Sequence, residues 1–249
     1  MDSAQTISDS FPITARNRVK RLHERGSYDH ASVYAVLDAG ILCHVAYSID
    51  GQPYCTPTIY WREGDVLYWH GSSASRMLRH FKPGMPACLT VSHLDGLVLA
   101  RSGFNHSANY RSAMCFGTAR IIDDPKEKAV ALDAVVNRLY RGRSEDLRPI
   151  TAQEVKATTV IGMRIDDASA KVRAKGVGDN EEDYDHPAWA GVIPVRTVIG
   201  DEEPCPRLLP HISRPDKLSA YSSGRTLDEV LVEAQHLYES DVDRETASG

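Results

Sequence analysis

The 249 residues are 42% hydrophobic and 25% charged, with a formal net charge of −5. This is the composition of an ordinary globular protein, with enough chain to bury a core without staples, and its charge argues against a general nucleic-acid binder. Five scattered cysteines, Cys43, Cys55, Cys88, Cys115 and Cys205, suit neither a disulfide framework nor a zinc site. With no apolar run near the roughly 20 residues that cross a bilayer and no signal-like start, the expectation is a cytoplasmic protein whose partners are small molecules or a second copy.

Residues 1 to 27 read as an N-terminal extension, with a short basic surface helix over Thr14 to Arg25. From His30 to Ala39 the apolar residues Val33, Val36 and Leu37 fall at helical spacing, and Gly40 is placed to cap the end. The period then changes to two. Ile41, Cys43, Val45, Tyr47 and Ile49 fall on one face and Leu42, His44, Ala46 and Ser48 on the other, and Asp50-Gly51 supplies a hairpin turn. Tyr54 to Arg62 reads as the return strand. Its neighbours Pro53 and Pro57 make it an edge, a bulge or a backbone turned toward something other than a strand.

Val66 to His70 is a further strand. A helix over Ser73 to Phe81 follows, on Ala74, Met77, Leu78 and Phe81. Strands are expected over Ala87 to His93 and Leu97 to Phe104, joined by an Asp95-Gly96 turn. A long strand, Tyr110 to Ile122, is expected to bulge or coil at Gly117. Asp124, Pro125 and Glu127 open a helix whose Leu132, Val135, Val136 and Leu139 face a core, with Gly142 as the stop; Thr151 and Glu154 form a capping box. Thr158 to Ile165 and Lys171 to Arg173 read as strands, and a last helix covers Leu227 to Leu237. The fold class is therefore mainly β (α+β), a barrel with flanking helices over residues 28–197. A C-terminal extension, 198–249, has one helix and a flexible end.

Two stretches carry chemistry. Tyr68 to Arg76 runs from strand through a Gly-Ser turn to a helix start. Free N–H groups there, the hydroxyls of Ser72, Ser73 and Ser75, and the planar fork of Arg76 make an anion site suited to phosphate. It is not a P-loop, since the lysine and spacing are missing. The second stretch, Leu97 to Ser112, crowds Arg101, Ser102, Asn105, His106, Asn109, Tyr110 and Arg111 between two apolar strands. Among the histidines, His44 reads as a barrel residue, His80 and His93 as structural or solvated. His106 is the functional candidate, as a general acid or as an axial ligand to haem.

In order along the chain stand GILCHV, DGQPYCTPTIY, LYWHGSSASRML, LDGLVLARSGFNHSANYRS, FGTARIID, EVKATTV, ASAKVRAKG and WAGVIPV. From Tyr28 to Val195 the chain closely resembles the pyridoxamine 5′-phosphate oxidase-related, FMN-binding split-barrel family, in the branch of the nitroimidazole resistance proteins. The resemblance implies a six-stranded split β-barrel forming a homodimer with two FMN sites across the interface. Thr56, Thr58, Ile59 and Tyr60 would run along the isoalloxazine ring. His70, Gly71, Ser72, Ser75 and Arg76 would hold the ribityl phosphate. Arg101, Ser102, Asn109 and Arg111 would line the pocket, partly from the other subunit, with Lys171, Arg173 and Trp189 near its opening.

One departure stands out: where this branch carries two adjacent histidines, the chain has Asn105 and His106. The basic substrate-phosphate cluster of the vitamin B6 enzymes is also missing. The expected function is an FMN-dependent oxidoreductase, passing electrons to a nitro compound, a quinone or oxygen. The rivals are a non-catalytic flavin-storage protein, a haem-binding barrel using His106 and, more weakly, a deazaflavin protein. The sequence leaves the physiological substrate and electron donor open.

Overall fold

The computed structural model describes residues 9–73, 81 and 84–248, with side chains as far as residue 244. In chain order the elements are β1 (Gly26–Ser27), α1 (His30–Asp38), β2 (Leu42–Ile49), β3 (Gln52–Glu63), β4 (Val66–Ser72), β5 (Met85–Leu99), β6 (Ser107–Ile121), α2 (Pro125–Leu139), α3 (Ala152–Ala157), β7 (Thr158–Arg164), β8 (Asp167–Arg173), β9 (Gly191–Pro194) and α4 (Leu227–Ser248). The strands form one antiparallel sheet in the order β1-β8-β6-β7-β4-β3-β2-β5-β9, and a further pairing of β6 with β5 closes six of them into a ring. The expected six-stranded barrel is the one observed. No helix among the described residues is long and apolar enough to cross a membrane.

Local chemistry explains most boundaries. Asp50 and Gly51 both have positive φ, at 51° and 80°, as a tight hairpin with right-twisted strands requires. The Asp124 carboxylate accepts from the N–H groups of Lys126 and Glu127, with Pro125 in the first turn of α2. The capping box of Thr151 and Glu154 is complete, and Arg148 adds to it by holding the Glu154 carboxyl down to about 2.

Other expectations give way. Thr14 to Arg25 is irregular rather than helical, ending in a single 3₁₀ turn at His23–Arg25. Leu22 has φ of 55° there, which no α-helix admits. The side-chain amide of buried Asn17 serves the carbonyls of Pro12 and Ala168 instead. Asp95-Gly96 is not a turn: β5 runs unbroken through it, and the register slips by one residue between Leu94 and Gly96. The real reversal lies beyond Leu99. The last helix continues past Leu237 to Ser248. The helix expected over Ser73 to Phe81 lies outside the described residues.

Two cores result. Inside the ring, Val45, Tyr60, Trp69, Leu89, Ala113, Cys115, Ile161 and Met163 are buried together. Outside one wall, Trp61, Ile122 and Val160 pack against Val135 and Leu139 of α2 and Leu231 of α4. Between the helices and the wall, Arg62 is gripped by Asp38 through Nε at 2.8 Å and Nη2 at 2.6 Å, and by Glu239 at 2.7 Å. The C-terminal helix is thus tied to α1 and β3 by charge as well as by packing.

The ring is split on one side. Among the described residues, β3 pairs with β4 only over Tyr60–Glu63 and Val66–Trp69, while Gln52 to Ile59 pair with β2 alone. The N–H of Tyr60 donates to Ile41 O at 3.2 Å. Backbone polar groups alternate sides along a strand, so Pro53, Cys55, Pro57 and Ile59 turn theirs to the open edge. The prolines sit where their missing N–H groups cost no ladder bond.

Candidate functional site

At the split, the free edge of β3 diverges from the end of β4 just past the Tyr60–Trp69 pair. Thr56, Thr58 and Ile59 stand on the β3 side of this divergence, and Gly71 and Ser72 on the β4 side. Thr56 Oγ1 lies 3.2 Å from the Tyr47 hydroxyl, and Ile59 is exposed. Gly71 and Ser72 pair with Thr159 and Thr158 of β7. Ser75 and Arg76, the most basic part of the expected phosphate grip, lie outside the described residues.

Two expected members point elsewhere. Tyr60 is fully buried in the barrel and its hydroxyl donates to Leu37 O. The His70 ring packs on Trp61 in the outer core, with ring centroids 5.8 Å apart, and burial lowers its pKa. Its Nδ1 is buried and has no hydrogen-bond partner among the described residues.

A second group of expected residues forms a separate arm. His44 pairs with Thr90 on one side and Pro57 on the other, so Thr90 stands level with the open edge. β5 then continues to Leu99, about 30 Å further at roughly 3.3 Å per residue. Over that length it pairs with β6 and with the short β9. At the tip, the Ser102 side chain caps a 3₁₀ turn at Gly103–Asn105 by accepting from Asn105 N–H.

That turn fixes His106. Its Nδ1 lies 2.8 Å from the Ser102 carbonyl oxygen. A carbonyl can only accept, so Nδ1 carries the proton and a neutral ring keeps its bare Nε2 free. The side chain is exposed, and Phe104 beside it is 95% exposed. Arg101 is anchored: its N–H and Nη1 each donate to Asp179 at 3.0 Å. Asn109 Oδ1 accepts from Arg173 Nη1 and from Lys175 N–H.

Arg111 stands apart from both groups. Its guanidinium donates to Asp95 (Nε 3.0 Å, Nη2 2.8 Å) and to Asp228 of α4 at 2.9 Å. These residues line a cavity of about 690 Å³ between the barrel end and the start of α4, with Leu42, His93 and Thr226 also on its wall. The bulge in β5 turns Asp95 toward this cavity, a common use of bulges beside sites. Of the remaining expectations, Lys171 donates to Arg21 O, Trp189 is exposed at 67%, and His44 lies on the barrel strand β2 with its side chain exposed. His93 is structural, its Nε2 lying 3.0 Å from Val36 O.

Sequence reasoning missed the acids that hold these arginines. Asp95, Asp179 and Asp228 lie 16, 78 and 117 residues from their partners, and no local pattern joins such distances.

The family model for pyridoxamine 5′-phosphate oxidase matches residues 29–172, more than half of the chain. Among solved structures, the flavocytochrome Anf3 from Azotobacter vinelandii is 46% identical with a TM-score of 0.79, over 85% of this chain and 98% of that one. A FAD and heme binding protein from Mycobacterium smegmatis is 35% identical with a TM-score of 0.76, over 82% and 98% of the two chains. A protein assigned to 5-nitroimidazole antibiotic resistance from Bacteroides thetaiotaomicron is 26% identical with a TM-score of 0.48, over 59% and 86%. No curated protein sequence matches. The chain belongs to the pyridoxamine 5′-phosphate oxidase-like, flavin-binding split-barrel family, as its motifs indicated. Its likeness to the flavocytochrome and to the FAD and heme binding protein extends well beyond the segment that the family model spans.

Proposed function

We propose that this chain is a flavin- and haem-binding electron-transfer protein, with His106 as an axial ligand to the haem iron. The observation that carries the reading is the bond from His106 Nδ1 to the Ser102 carbonyl. Metal-binding histidines are typically held in this way, the second ring nitrogen donating to a carbonyl so that the first stays bare and aimed. Two similar structures, the flavocytochrome and the FAD and heme binding protein, support it. The flavin is proposed to be FAD, as in the mycobacterial relative. The FMN expected from the sequence corresponds to its phosphoriboflavin half.

When bound, the flavin supplies one- and two-electron transfer and the haem one-electron exchange. The chain's own residues bind and orient. Backbone groups of Cys55, Pro57 and Ile59 face the split, where they can meet the polar edge of a flat ring, and Gly71 and Ser72 flank its other side. His106 lies too far along its own arm to reach that split. A complete site is therefore proposed to draw His106 from a second copy, in a homodimer. The final acceptor is proposed to be small, a quinone, a nitro compound or oxygen.

The visible spectrum of the purified protein tests the reading, with acid release identifying the chromophores. Flavin bands together with a Soret band are expected, and His106→Ala should lose the Soret band while keeping the flavin. Flavin bands alone in the wild type would return His106 to the role of proton donor. An unchanged Soret band in His106→Ala would place the iron on another ligand.

A further inference from the structure

Arg173 closes β8 and is only 7% exposed, yet among the described residues no carboxylate pairs with it. Its Nη1 donates to Asn109 Oδ1 and to Lys175 O, and its Nη2 to Gly176 O at 3.3 Å. All three acceptors are neutral, and among the described residues its Nε has no partner. Elsewhere on the arm, Arg101 Nε and Asn105 Nδ2 are also buried without partners among the described residues. Asp179, six residues further along the chain, is committed to Arg101.

Buried donors in native proteins are almost always paired, and a buried charge without a counter-charge is costly. Loop polarity alone does not account for the pattern. A loop satisfied by itself would leave its unpaired nitrogens in solvent, whereas these are buried, and all three are donors. What Arg173 lacks is an acceptor bearing negative charge.

We propose that Arg173, at the end of β8, receives an oxyanion of the bound cofactor. The inference rests on the cofactor reading above. The register sets Arg173 opposite Tyr110, close along β6 to the His106 turn, so a haem held by His106 would offer a propionate carboxylate. A flavin phosphate would offer the same chemistry. In either case Arg173 is the counter-ion.

The test titrates cofactor-free protein with hemin and with hemin dimethyl ester, whose carboxylates are blocked, and follows the Soret band. Wild type, Arg173→Gln and Arg173→Lys are compared, with thermal midpoints as the control on folding. If a propionate is received, wild type binds hemin at least tenfold more tightly than the ester. Arg173→Gln then loses that tenfold preference by weakening hemin alone, and Arg173→Lys keeps most of it. If hemin is unaffected but Arg173→Gln retains at least tenfold less FAD, the anion is the flavin's phosphate and the site stands. Equal hemin affinity and equal FAD retention in wild type and a folded Arg173→Gln overturn it. If wild type takes up no hemin, the haem reading fails, and the FAD arm alone decides the inference.

Discussion

A Cβ built on Gly117 would lie 2.1 Å from the carbonyl oxygen of Arg164 and 2.8 Å from Met163 Cγ. The glycine lets β6 pass close to the end of β7. Of the bulge or coil expected there, the ladder to β5 shows no bulge, and β6 passes from β8 to β7 on either side of the glycine. Because the obstructing atom is backbone, Gly117→Ala has no inexpensive relief, and a loss of about 3 kcal/mol in unfolding free energy is expected. Denaturant unfolding that leaves the midpoint unmoved would refute the contact. His70 gives a second prediction. Burial lowers its pKa below the ordinary 6.5, so the unfolded chain binds the proton more readily. Stability linked to His70 is complete above about pH 6.5 and is lost as pH falls through the lower folded value. Thermal midpoints of His70→Gln should fall less steeply than wild type from pH 6.5 downward; parallel curves would mean that the ring is not buried in solution.

At the scale of elements, what could be read from the sequence was what is local. The caps at Asp124 and Thr151, the hairpin at Asp50-Gly51 and the alternation of β2 each depend on residues within four positions, and the structure has them all. Asp95-Gly96 carried the same turn signal and misled, because the outcome there is set by β9, almost a hundred residues on, which pairs with Leu97 to Leu99 and holds β5 straight. The basic N-terminal stretch misled for a similar reason: Asn17 finds its carbonyl partner on Ala168. The candidate site divides along the same line. The prolines of β3 announced an edge with a purpose, and the crowded polar run announced His106. Arg111 read as a cofactor residue, but whether an arginine is free depends on where Asp228 comes to rest.

For the molecule as a whole, the distance between split and arm decides the most. β5 alone runs about 30 Å from the level of Pro57 to the His106 turn, and the working unit is therefore proposed to be two copies. Leu42 and Ile59 face each other across β2 and β3, as do Leu97 and Ile193 across β5 and β9, and all four are exposed, as apolar residues at an interface would be in a lone copy. Light scattering on the cofactor-loaded protein should return twice the 27.5 kDa of the chain. A loaded species of single mass would end the shared-site reading.

The open edge of β3 has a consequence for the life of the chain before any cofactor arrives. An unpaired strand edge is a template on which another chain can add a strand, the first step of aggregation. Here Pro53 and Pro57 turn their ring nitrogens to that edge, so an incoming strand finds donors only at Cys55 and Ile59 and its ladder is interrupted at every second rung. A flat ring needs only a few isolated polar contacts and is not hindered. The same two residues thus keep the cleft closed to other chains and open to a small molecule, and a newly made copy can wait for its cofactor without being consumed by its neighbours.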